Sequence, residues 1–86
     1  MLRISRSAES PPLATLRVEG RIVAEWVPVL EQACWLALQQ NLHVRLDLSA
    51  VTFVDGRGVA ALRHLSANDL EIINCPEFIG ELIRIL

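Results

Sequence analysis

The stretch Leu46-Asp47-Leu48-Ser49-Ala50-Val51-Thr52-Phe53-Val54-Asp55-Gly56-Arg57-Gly58-Val59-Ala60-Ala61-Leu62 decides the fold. Just before and into it, Val44, Leu46 and Leu48 alternate with His43, Arg45 and Asp47. A period of two marks a strand with one buried face, here spanning His43 to Ser49. The apolar step Val51-Thr52-Phe53-Val54 follows, and then Asp55-Gly56-Arg57-Gly58 opens a short helix over 57–65. Asp55 stands where its carboxylate can accept from the unpaired amides of that helix's first turn. Gly56 and Gly58 permit a tight strand-to-helix turn and the close approach of another backbone.

Upstream, two more alternating runs predict strands over 2–6 and 13–19, separated by the loop Ser7 to Pro12, where Pro-Pro cannot continue a ladder. The short connection predicts an antiparallel pair, with Gly20 ending the second strand. A helix is predicted over 24–40, with Pro28 in its first turn, where an amide lacks a partner anyway. Helical periodicity places Trp26, Val29, Leu30, Ala33 and Ala37 on its core face. Trp35 falls about 180° from Trp26, with Leu38 within about 60° of it. Downstream, Ala67-Asn68-Asp69 reads as a loop and Leu70 to Asn74 as a strand. Pro76 opens a last helix, with Asn74 or Cys75 as cap and Ile79, Leu82, Ile83 and Leu86 facing inward. Phe78 and Ile85 lie off that stripe.

The order β-β-α-β-α-β-α predicts a mixed four-stranded sheet. Polar residues at every second strand position predict helices packed on one face only, since a sheet covered on both faces reads apolar throughout. The chain has 86 residues, a size that points to one domain over 1–86. Hydrophobic residues make up 52%, enough to sustain a core. The net charge of −2, with all eight basic residues arginine, leaves no electrostatic footprint for nucleic acid or anionic lipid. No apolar run approaches the ~20 residues of a membrane span, and no stretch resembles a signal peptide, so a cytoplasmic domain with reduced thiols is expected.

The central stretch resembles the signature of STAS domains, found in anti-sigma-factor antagonists and in the tails of sulfate transporters. Its pattern is a strand reading D-L-S, then V-x-F-[IV]-D-[ST]-x-G-[LV], then a helix. Val18-Glu19-Gly20-Arg21-Ile22 resembles the family's strand end before its first helix. Leu70 to Asn74, followed by Pro76 to Leu86, resembles the next strand and helix. The resemblance implies a small α/β domain that works by binding proteins. In the antagonists, a kinase that doubles as an anti-sigma factor phosphorylates the Ser or Thr after the motif's Asp. Here that position is Gly56, which has no hydroxyl. Val23 stands where antagonists often carry an acidic residue, and the sequence ends at Leu86 where fuller members continue into another strand and helix.

Three readings of the Asp55–Gly58 turn remain open at this point. It is a turn and nothing more; or the centre of a docking surface with Asp55, Gly56, Arg57, Gly58 and Ala61, in which the forked Arg57 pairs acceptors; or an anion site at a helix N-terminus. His43 and His64 read as surface histidines. The two histidines and two cysteines lack metal-ligand spacing, so no metal and no cofactor are expected. Cys34 and Cys75 read as small buried hydrophobes. No nucleophile-base pair stands out, and an enzyme is not expected. Trp35 and Leu38 mark either a helix covered on two sides or an apolar interface, and a homodimer is one arrangement that would supply it. The expected function is a protein-binding regulatory module docking an anti-sigma or switch-kinase ATPase domain without phosphorylation at the usual site. The alternative is a structural cytoplasmic accessory of an ABC-type lipid-transport complex, bound to its ATPase subunit.

Overall fold

Alternation in the strands sorts their side chains onto two unlike faces, and the computed structural model, which describes residues 2–8, 13–40, 43–68 and 70–85, shows what each face meets. The elements are β1 (Leu2–Ala8), β2 (Leu13–Ile22), α1 (Val27–Gln40), β3 (His43–Val54), α2 (Gly56–Ser66), β4 (Leu70–Ile73) and α3 (Glu77–Ile85). The strand order is β1-β2-β3-β4. β1 pairs antiparallel with β2, and the other two pairs are parallel. Parallel neighbours need crossovers, which α1 and α2 supply.

One sheet face is apolar. Leu16, Val18 and Ile22 of β2 and Val44, Leu46, Leu48, Val51 and Val54 of β3 form one core with Leu30, Cys34 and Ala37 of α1. Val59, Leu62 and Leu65 of α2, Leu70 of β4 and Ile79 of α3 complete it. The other face is a lattice of opposite charges. Arg3 lies across from Glu19, Arg17 from Asp47 and Arg45 from Glu71. Arg45 Nε sits 3.3 Å from Glu71 Oε2, and Arg17 Nε 4.0 Å from Glu19 Oε1. Exposed pairs of this kind add little stability. Their effect is to keep a four-stranded face hydrated, as the alternation predicts.

Several boundaries differ from the sequence reading, each for a local reason. Ser7 and Ala8 belong to β1, while 9–12 of the expected loop lie outside the described residues. β2 continues past Gly20 to Ile22, because Gly20 takes φ of 100° at a register shift against β3. That left-handed backbone suits glycine. The segment 23–26 is a turn, with Trp26 N and Val27 N both donating to the Val23 carbonyl, so α1 starts at Val27. With Trp26 outside the helix, its core face rotates to Leu30, Cys34 and Ala37, and Val29 is 48% exposed. Pro76 is not the first residue of α3 but precedes it; its carbonyl accepts from Ile79 N and Gly80 N. Cys75 is exposed rather than buried, on a bend that follows Asn74 at φ of 52°. Phe78 is exposed, as expected; Asp69, Leu86 and the Ile85 side chain lie outside what is described.

Candidate functional site

The turn from β3 into α2 is held by one carboxylate. Asp55 Oδ1 accepts from Gly58 N at 2.8 Å, capping α2, and Oδ2 accepts from Ala24 N at 2.9 Å. Asp55 N in turn donates to the Ile22 carbonyl at 3.1 Å. The cap is readable from the sequence; the bond to Ala24 is not, because Ala24 is 31 residues away. Asp55 therefore stitches the turn after β2 to the turn after β3. These amide bonds, to Gly58 first and Ala24 next, hold its carboxyl below the usual 3.8. A depressed folded-state value adds stability that is complete above 3.8 and lost as pH falls through the lower folded value. Acid titration of the unfolding midpoint is expected to show this loss below about pH 4, and Asp55→Asn to flatten the curve there. An unchanged acid limb in Asp55→Asn would refute it.

The two glycines of the turn do different work. A Cβ on Gly58 would lie 2.4 Å from the Ile22 carbonyl oxygen and 2.7 Å from Val54 Cγ1, so α2 can meet the sheet only with glycine there. Gly58 is buried and cannot itself touch a partner. A Cβ on Gly56 would meet nothing within 4 Å, and the position is exposed at the first residue of α2. Gly56 is thus demanded neither by strain nor by crowding.

Arg57 projects beside it and is exposed. It forms the rim of a groove of about 290 Å³ between α1 and α2, lined by Val27, Glu31, Ala60, Ala61 and His64. Ala61 is only 5% exposed and lies at the groove floor, so Ala60 is the small residue a partner would reach. His64, on the exposed side of α2, meets the Trp35 ring edge-on with centroids 6.1 Å apart. Trp35 is thereby a half-covered neighbour of α2, while Leu38 packs on the core. On the sheet side of the turn, the Arg21 guanidinium lies 4.8 Å over the exposed Phe53 ring. Such a pair keeps an aromatic ring on the surface with its face covered by a cation. No local sequence pattern singles out Arg21, Phe53 or Glu31 as neighbours of the turn. Only the strand register, which sets Arg21 opposite Phe53, and the packing of α1 on α2 bring them to the turn.

Elsewhere, the Cys34 thiol is pushed up to about 12 by burial and by Glu31, which leaves it protonated and unreactive. Arg63 of α2 donates through Nε and its terminal nitrogen to the Ile83 carbonyl, tying α3 to α2. A shallow depression of about 390 Å³ opens on the charged sheet face, between Arg3, Glu19, Gly20 and Ala50. Among the described residues, no helix is long and apolar enough to cross a membrane.

A strand, an Asp-capped glycine turn and a helix laid against a mixed sheet are the arrangement that the STAS signature implies, and the STAS domain profile matches residues 6–68. The chain belongs to the STAS domain family. Its fold is similar to that of an anti-sigma factor antagonist from Mycobacterium paratuberculosis, with a TM-score of 0.69 and 21% identity over 84% of this chain. This STAS domain spans 64% of that protein's length. It is also similar to the anti-sigma factor antagonist SpoIIAA in its unphosphorylated form, with a TM-score of 0.70 and 13% identity, covering 98% of this chain and 84% of that one. An uncharacterized Shewanella loihica protein with a SpoIIAA-like fold aligns with a TM-score of 0.60 and 12% identity, over 98% of this chain and 75% of that one. At these identities the likeness is one of fold. No curated protein matches the sequence.

Proposed function

We propose that this STAS domain is a non-enzymatic, protein-binding regulatory module that docks through the β3–α2 turn. The observation that carries the reading is the turn itself. Asp55 ties it to Gly58 and Ala24, Gly56 leaves its tip bare, and Arg57 stands exposed beside the α1–α2 groove. No carboxylate lies within ion-pair distance of Arg57 among the described residues, so its fork is available to a partner's acidic group. The partner class that fits the family is an anti-sigma or switch-kinase ATPase domain in the cytoplasm. The mechanism is occupancy: with no hydroxyl at position 56, binding is regulated by abundance or assembly and not by phosphorylation there.

The test is a titration of the purified domain against an ATPase of that class recovered from its own cytoplasm. Arg57→Glu is expected to weaken binding by about 2 kcal/mol or more, roughly thirtyfold, while leaving the unfolding midpoint unchanged. Equal affinity of wild type and variant would move the site elsewhere. Val29 and Leu36, exposed on α1, favour a second reading, a structural accessory of an ABC-type lipid-transport complex. Recovery of a transporter ATPase subunit in a fixed stoichiometric complex would put that reading first.

A further inference from the structure

We propose that the Asp55–Gly56 bond is a self-modifying site: the folded turn holds it inert, and opening of the turn lets it rearrange through a succinimide to a β-linked aspartate, which destroys the α2 cap. The proposal does not depend on what docks at the turn. Nowhere else in the chain does an aspartate or asparagine precede a glycine. The chemistry needs only these two residues and water. The backbone nitrogen of Gly56 attacks Cγ of Asp55. The N–Cγ bond forms, and one carboxyl oxygen leaves as water, taking the amide proton and the acid proton of the neutral carboxyl group. Water then adds to either carbonyl of the five-membered ring. Opening at Cγ restores aspartate. Opening at the former peptide carbonyl leaves Gly56 joined through Cγ, with a free α-carboxylate. The attack needs an unhindered nitrogen, and glycine has no Cβ to shield it. Gly56 N is also the first amide of α2, one of those a helix leaves without an intrahelical acceptor.

The fold opposes the first step. Asp55 Oδ1 accepts from Gly58 N at 2.8 Å and Oδ2 from Ala24 N at 2.9 Å, so the carboxylate must leave both amides before Cγ can close on Gly56 N. A nearly planar ring also requires the Asp55 backbone to turn away from its ψ of −178°. The same two bonds hold the carboxyl below its usual range. It therefore stays ionised, and a carboxylate, lacking the acid proton, loses water far less readily. The product, once formed, does not fit back. It adds one methylene to the backbone between β3 and α2, and it removes the side chain that bound Gly58 N and Ala24 N. The entry to α2 has no slack for an extra atom, since one carbon added at Gly58 already lies 2.4 Å from the Ile22 carbonyl oxygen. The folded state thus protects the bond it depends on, and an excursion from it can become irreversible.

Ageing of the whole chain at neutral pH tests this, folded in buffer and unfolded in guanidinium chloride. Trypsin cleavage after Arg45 and Arg57 releases residues 46–57, and electron-transfer dissociation mass spectrometry of that peptide tells α-linked from β-linked aspartate. The peptide also carries Asp47, followed by Leu48, as an internal control. In the unfolded chain the β-linked form is expected to accumulate at Asp55 and not at Asp47. In the folded chain it is expected to form at least about thirtyfold more slowly, because the open fraction sets the rate. Gly56→Ala, whose methyl group crowds the nitrogen, is expected to slow the unfolded-chain reaction several-fold. When the aged, unfolded sample is returned to buffer, the refolded fraction is expected to carry unmodified Asp55 and the non-native fraction the β-linked form. No rearrangement at Asp55 in the unfolded chain, equal rates in folded and unfolded protein, or rearranged chains that refold with the wild-type midpoint would overturn the proposal.

Discussion

Gly58→Ala is expected to lower stability by about 3 kcal/mol or more. The added Cβ would sit 2.4 Å from the Ile22 carbonyl oxygen, 2.7 Å from Val54 Cγ1 and 3.0 Å from Ile22 Cγ2. Two of these neighbours are buried in the core and one is backbone, so none can swing aside. The Ile22 carbonyl is also the acceptor for Asp55 N, and shifting it breaks that bond. Lifting α2 instead would strip Val59, Leu62 and Leu65 from the sheet. A domain of 86 residues sits near the low end of the usual ~5–15 kcal/mol, so a loss of this size is a large part of the total. Urea denaturation followed by circular dichroism measures it. Gly56→Ala is the control: its Cβ meets nothing, and less freedom in the unfolded chain is expected to stabilise by about 0.4–1 kcal/mol. A Gly58→Ala loss below about 1 kcal/mol would mean that the α2–sheet contact is looser than these distances imply.

Gly56→Ser is expected to convert a protein that takes no phosphate at this turn into one that does. The position is exposed, begins α2, and leaves a new side chain open space on every side within 4 Å. Serine there adds only a hydroxymethyl group, and the Asp55 bonds to Gly58 and Ala24 need not move. The comparison is incubation of wild type and variant with a switch-kinase ATPase that binds the domain, using labelled ATP. Wild type is expected to stay unlabelled and Gly56→Ser to approach one phosphate per chain. An added phosphate carries nearly two negative charges beside Asp55 and Arg57, so the labelled variant is expected to lose affinity for that ATPase. Label on wild type at Ser49, Thr52 or Ser66 would overturn regulation by occupancy. An unlabelled variant that still binds tightly would show that docking does not present residue 56 to ATP.

Much of this molecule is legible in the order of its residues. Leu46 and Leu48 alternating with Arg45 and Asp47 announce a strand with one wet face, and Arg45 indeed faces Glu71 on the open side. Asp55 three residues before Gly58 announces the cap, in which Gly58 N donates to Asp55 Oδ1 at 2.8 Å. Period and capping are properties of neighbours along the chain, and a linear reading captures them. The face of α1 was harder. Counting Trp26 into the helix turned the expected stripe toward Val29, whereas the turn at 23–26 starts the helix later and leaves Val29 exposed; Cys34 is buried, as expected. Trp35, singled out for its odd position, proves to touch His64 of α2, a contact made 29 positions away in sequence.

Strand and helix order, the single covered sheet face and the lack of a hydroxyl at position 56 can all be read along the chain. Each follows from local periodicity or from the identity of one residue. Packing in three dimensions makes Gly58 indispensable while leaving Gly56 free, joins Asp55 to Ala24 and lays Arg21 over Phe53. It likewise decided that Val29 and Leu36, not Leu38, form the bare face of α1. These facts depend on distances between segments 30 or more residues apart and on the rotation of each helix against the sheet. Those are set by how the whole core packs, and no local pattern encodes them.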